Sequence, residues 1–137
     1  SPLAYVIKGK KECILYMTDT GYVSQKNRRY INNLDYYIIE SNHDVEMLMK
    51  TNRPYFLKQR IQGDVGHLDN VYSARLIAEL IGDKTKEIVL AHLSEEANSE
   101  QVALTTYMKI FDEYNLNFNS IKVASQVNVV SGGDYEG

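Results

Sequence analysis

Short β-prone runs and amphipathic stretches alternate along the chain. Residues 4–8 and 12–17 flank Gly9-Lys10-Lys11, a spacing that predicts an antiparallel hairpin with a tight turn. Thr18-Asp19-Thr20-Gly21 and a polar stretch holding Lys26, Arg28 and Arg29 lead to a further strand over 35–39. That strand stops at Glu40-Ser41-Asn42-His43-Asp44. Ser41 and Asp44 stand at capping-box spacing, so a short helix is expected over 45–50, ended by Asn52 and Pro54. A second short helix is expected over 55–62, then a polar loop over 63–70. Asp69 or Asn70 would cap the next helix, in which Ala74, Ile77, Ala78 and Ile81 share a face before Gly82 closes it. Residues 88–91 read as a buried strand ending on His92. Asn98 or Ser99 would cap the longest helix, with Ala103, Tyr107, Ile110, Phe111 and Tyr114 on one face. Residues 121–124 and 127–130 complete the pattern as two short strands, before a small polar tail over 131–137. The order is that of a mixed α/β layered arrangement in one unit spanning 1–137, with no internal repeat.

Composition narrows the classes. The chain has 137 residues, 44% of them hydrophobic and 24% charged, which suits one soluble core and excludes disordered or fibrous readings. A formal charge of −3 provides no global field for a polyanion, so nucleic-acid binding would need a local basic patch. The lone Cys13 excludes an internal disulfide and suits a reducing cytoplasm; set in an apolar run, it reads as a small buried hydrophobe. No apolar run approaches the ~18 residues that span a bilayer, so no membrane association is expected. Opening directly in strand sequence after Ser1-Pro2 suggests a cut boundary rather than a natural start.

Three apolar strands each end on polar residues: Asp19, the 40–44 cluster and His92. Ligands of α/β sheets gather beyond the carboxyl ends of strands, so these clusters are candidates for one site. A carboxylate and an imidazole presented from rigid strands suit Zn²⁺ or Mn²⁺, yet two ligands are too few, and no HxH, HExxH or CxxC spacing occurs. Each residue also has a plain structural role open to it. Asp19 would organise a turn, His92 and His67 would be hydrogen-bonded polar residues, and His43 beside a cap would be solvated.

Thr-Asp-Thr-Gly-Tyr-Val (18–23), Glu-Ser-Asn-His-Asp (40–44), Leu57-Lys58-x-Arg60-Ile61, Gly-His-Leu-Asp-Asn (66–70) and Leu-Ala-His-Leu-Ser (90–94) stand in an order and spacing that resemble the YycJ/WalJ branch of metallo-β-lactamase-fold proteins. The resemblance extends over essentially the whole chain; ribonuclease Z is a more distant look-alike. It implies the C-terminal half of an αββα sandwich, a mixed sheet with helices on one face. It also implies a two-metal exonuclease or phosphodiesterase acting on DNA or RNA. By the match of motifs, Asp19 falls at the family's metal-bridging aspartate and His92 at its last metal-ligand histidine. His67 falls at a phosphate-contacting or proton-donating histidine. Ser41, Asn42 and His43 would shape the pocket floor, and Lys58 and Arg60 are the local candidates for backbone contacts to nucleic acid, if they are not simply a solvated helix face. Asp69 departs from the family's serine; it would either repel a phosphate or cap a helix, with Asn70 beside it on the substrate side.

The family's HxHxDH motif, and the histidine expected before the first strand pair, have no equivalent here. The resemblance therefore implies two divalent ions, Zn or Mn, in the complete protein and an incomplete site in this chain, which alone should bind metal weakly and turn over little. Exposed sheet edges would pair with the missing N-terminal half or with a second copy. Two other functions remain open at this point: a non-catalytic binding or assembly module, and a phosphodiesterase for small molecules such as cyclic nucleotides.

Overall fold

A computed structural model describes residues 3–9, 12–18, 30–51 and 68–124. The predicted helix over 55–62 and the strand over 127–130 lie outside the described residues. Among those described, five strands form one sheet in the order β1-β2-β3-β4-β5. β1 (Leu3–Lys8) pairs antiparallel with β2 (Cys13–Thr18), Lys8 opposite Cys13, and Gly9 N donates to Glu12 O at 2.7 Å to close the turn. β3 (Tyr36–Glu40), β4 (Glu87–Ala91) and β5 (Ile121–Val123) each run parallel to the strand before. The expected mixed α/β sheet is therefore present.

Strand periodicity explains which residues are inside. Leu15, Tyr37 and Ile88 stand side by side across three strands, as do Met17, Ile39 and Leu90. Successive side chains of a strand alternate between faces, so these six share one. All are buried in the cluster that also takes in Ala74, Leu76 and Ile77 of α2 (Asn70–Leu80) and Ala103, Tyr107, Ile110 and Phe111 of α3 (Glu100–Glu113). Filling such a cluster removes each large side chain from water at about 1.5–3 kcal/mol apiece. The Tyr107 and Phe111 rings pack tilted at 5.6 Å, and the Tyr107 hydroxyl meets Ser73 Oγ at 2.5 Å across the two helices. Burial, opposed by that hydrogen bond, holds the Tyr107 phenol far above its usual pKa.

Helix ends correct the sequence expectations at Ser41 and Gly82 and decide between the two caps left open for each of the longer helices. Ser41 does not cap the short helix: α1 spans Val45–Met49, and Asp44 caps it through Oδ1, which accepts from Met47 N at 2.9 Å. The helix starts there because Asp44 supplies the acceptor from an extended backbone next to the first turn. Asp69 rather than Asn70 caps α2, accepting from Tyr72 N, and Ser99 rather than Asn98 caps α3, accepting from Val102 N. Gly82 does not close α2 as a left-handed cap. The helix ends at Leu80 with Ile81 extended, and a side chain at position 82 would run into the amide of Asn33.

At the amino ends of the central strands, side chains tie down main chain. Asp35 Oδ2 accepts from Cys13 N at 2.7 Å, and its carbonyl accepts from Lys86 N. Tyr37 Oη accepts from Leu34 N and donates toward Ile31 O at 2.6 Å, while Thr85 Oγ1 donates to Leu34 O. Burial pushes the Tyr37 phenol up to about 12.

Candidate functional site

The carboxyl ends of β3 and β4 are adjacent, with Glu40 opposite Ala91, and Ser41 N extends the ladder to Ala91 O at 3.0 Å. Beyond them the chain 41–44 is stitched on two sides. Asn42 N donates to Leu68 O and Asn70 N to His43 O, each at 2.8 Å, so 42–43 runs beside 68–70 in a short parallel bridge. On the other side Ser94 N donates to Asn42 O at 2.7 Å and Asp44 N to Ala97 O at 2.8 Å. These main-chain bonds use donors that a strand end would otherwise leave unpaired.

Within this frame lies a buried polar cluster. Ser41 Oγ donates to Asn70 Oδ1 at 2.5 Å, and the amides of Asn70 and Asn98 face each other in a reciprocal pair, both bonds 2.9 Å. Asn98 Nδ2 also donates to Ser41 O at 2.8 Å, and its Oδ1 accepts from Ser99 N. Three separate elements, the end of β3 and the starts of α2 and α3, are thus locked by neutral side chains. Ser41 and Asn70 face one another rather than solvent.

Two groups of opposite exposure meet at the strand ends. The Glu40 side chain is 0% exposed, its Oε1 accepting from Leu68 N at 2.9 Å, and its Oε2 lies 3.9 Å from Nδ1 of His92, whose side chain is 46% exposed. His92 occupies the left-handed region, φ 58°, which a non-glycine residue rarely adopts, and its carbonyl accepts from Asn42 Nδ2 at 2.8 Å. His43, expected to be solvated, is fully buried, with Nδ1 3.2 Å from Asn42 Oδ1. The reason is its pairing with 68–70, which draws position 43 inside.

The structure therefore gathers Ser41, Asn42, His43, Asp69, Asn70 and His92 at one end of the sheet. Asp19 directly follows the last residue of β2, but Asp19, Lys58, Arg60 and His67 lie outside the described residues. Sequence reasoning gave Glu40 no role of its own within the 40–44 cluster, and Asn98 only that of a possible helix cap. A lone acid closing the apolar run Tyr-Tyr-Ile-Ile was a usable signal for Glu40. For Asn98 the signal was two adjacent capping residues where a helix needs one.

No protein-family profile matches the chain. It is 38% identical over 112 residues, 82% of its length, to the exodeoxyribonuclease YycJ of Bacillus anthracis. It is 41% identical over 106 residues to the exodeoxyribonuclease WalJ of Streptococcus pneumoniae, in strains D39 and R6 alike. The family recognised from the motifs is met: over the matched stretch this chain is YycJ/WalJ-like. It spans about two fifths of the length of these relatives, 42% and 39%.

Proposed function

We propose that this chain forms part of a metal-dependent exodeoxyribonuclease and supplies one end of its hydrolytic site. The observation that carries the reading is His92: half-exposed, set at a parallel strand's carboxyl end, and facing a fully buried carboxylate through one ring nitrogen. Metal-bound histidines characteristically turn their other nitrogen to a carboxylate or carbonyl, so the donor chemistry at His92 fits one ligand. Among the described residues no three His, Cys, Asp or Glu side chains converge, so the rest of a ligand set would come from Asp19 and from chain beyond this segment. Bound Zn²⁺ or Mn²⁺ would activate water and neutralise charge on the phosphate oxygens. His92 would hold its ion in place, His67 would contact the phosphate or protonate the leaving oxygen, and Lys58 and Arg60 would neutralise the strand's backbone.

The buried Ser41, His43, Asn70 and Asn98 act as the frame of that site. Asp69 serves the helix: as the cap of α2 its carboxylate is committed to Tyr72 N, which removes the need for a repulsive role. No helix among the described residues is long and apolar enough to cross a membrane. The single cysteine of this chain suits a reducing cytoplasm, which we propose as the site of action.

The test uses the full-length protein on linear DNA. Chelation should abolish digestion, Mn²⁺ or Zn²⁺ should restore it, and Asp19→Ala and His92→Ala should each lower it by at least 100-fold, in the range set by losing a metal ligand's contribution to charge stabilisation. Undiminished metal-dependent digestion by both variants would overturn the assignment. The 137-residue segment alone should show neither tight metal binding nor turnover.

A further inference from the structure

The backbone at His92 is the most unusual local feature of the site. β4 pairs with β3 as far as Ala91, and the chain must then bend so that Ser94 N reaches Asn42 O. The left-handed conformation of His92 makes that bend. For a residue with a side chain it costs roughly 1–2 kcal/mol, and glycine would make the same turn freely. An imidazole at such a position points to a use for the ring, and something must hold the strained conformation.

Asn42 is placed to do so. Its own main chain is fixed on both sides, N to Leu68 O at 2.8 Å and O from Ser94 N at 2.7 Å. Its carboxamide is oriented at both ends, Oδ1 3.2 Å from His43 Nδ1 and Nδ2 donating to His92 O at 2.8 Å. An aspartate of the same shape has no such donor and would set a negative oxygen against a carbonyl. We propose that Asn42 is a positioning residue for His92: its side chain clamps the strained peptide and so aims the imidazole out of the sheet end, over Glu40, instead of touching substrate. The family resemblance places Asn42 on the floor of the substrate pocket. The inference rests on His92 acting as a metal ligand.

The experiment compares the full-length protein with Asn42→Asp and Asn42→Ala. Two readouts are taken: Mn²⁺ and Zn²⁺ affinity by calorimetry, and the backbone ¹³C shifts of His92 in metal-free, histidine-labelled protein. Expected are a loss of metal affinity of about 10-fold or more, in the range of groups that orient a ligand, at least as large for Asp as for Ala. The His92 shifts should move away from left-handed values, and digestion should recover at saturating metal. Unchanged metal affinity with a raised KM for DNA would overturn the clamp in favour of a substrate contact. A lowered Tm with affinity and shifts unchanged would overturn it in favour of a purely structural role. If the unaltered protein binds no metal, the functional assignment falls, and the His92 shifts still decide whether Asn42 holds that backbone.

Discussion

The two ends of the central strands are both polar and both largely buried, yet they are built differently. At the amino end Asp35, Tyr37, Thr85 and Asn33 spend their side chains on main-chain groups, Cys13 N, Ile31 O, Leu34 O and Lys84 N among them. At the carboxyl end such bonds recur, but the buried side chains also bond one another, Ser41 to Asn70 and Asn70 to Asn98, and one imidazole faces outward. The Glu12 pairing with Tyr36 and Lys86 at the amino end lies nearer the surface. Main-chain tethering closes a scaffold and leaves nothing to react. A web of side chains sets the geometry of a neighbouring group, at the risk that each member depends on the rest.

That contrast can be broken most forcefully at Asn98. Asn98→Ala strands Ser41 O, the Asn70 amide and Ser99 N, and should cost about 3 kcal/mol in urea denaturation of the full-length protein. A loss under 1 kcal/mol would show that the web is not cooperative. Gly82→Ala attacks the other end, forcing a methyl into the Asn33 amide; about 1–3 kcal/mol should be lost, while DNA digestion per folded molecule stays the same. Lost activity there would erase the distinction between the two ends. At His92 the comparison turns on strain. His92→Gly should be about 1 kcal/mol more stable than His92→Ala, because glycine tolerates the left-handed backbone, although both lose digestion. Equal stabilities would remove the case for strain.

A further effect appears only in alkali. Tyr37 titrates at 10.0 when unfolded and at about 12 in the fold, so the folded state keeps its proton longer. Its contribution to stability is complete below pH 10 and is lost as pH rises towards 12. Stability measured across that window should decline less steeply in Tyr37→Phe than in the unaltered protein, and identical slopes would contradict the assignment.

Sequence periodicity was sufficient for the core, because burial follows the alternation of Leu15, Met17, Tyr37, Ile39, Ile88 and Leu90 and the helical spacing of Ala103, Tyr107 and Phe111. It could name the polar residues at the strand ends but not their partners. Ser41 and Asp44 look alike as caps in one dimension; only the neighbouring α2 start decides that Ser41 bonds Asn70 while Asp44 takes the helix. His43 looked solvated because nothing local shows that residues 68–70 will lie beside it. The left-handed His92 was likewise invisible, since it answers to a tertiary bend rather than to a turn motif.

The order of strands across the sheet is the order in which they occur in the chain. From β2 onward each described strand therefore pairs with one synthesised before it, and none of the described strands is inserted between two earlier ones. Within this segment assembly can advance from β2 towards β5, each new strand extending the edge left by the one before. Only the loop closures between parallel strands then slow its progress.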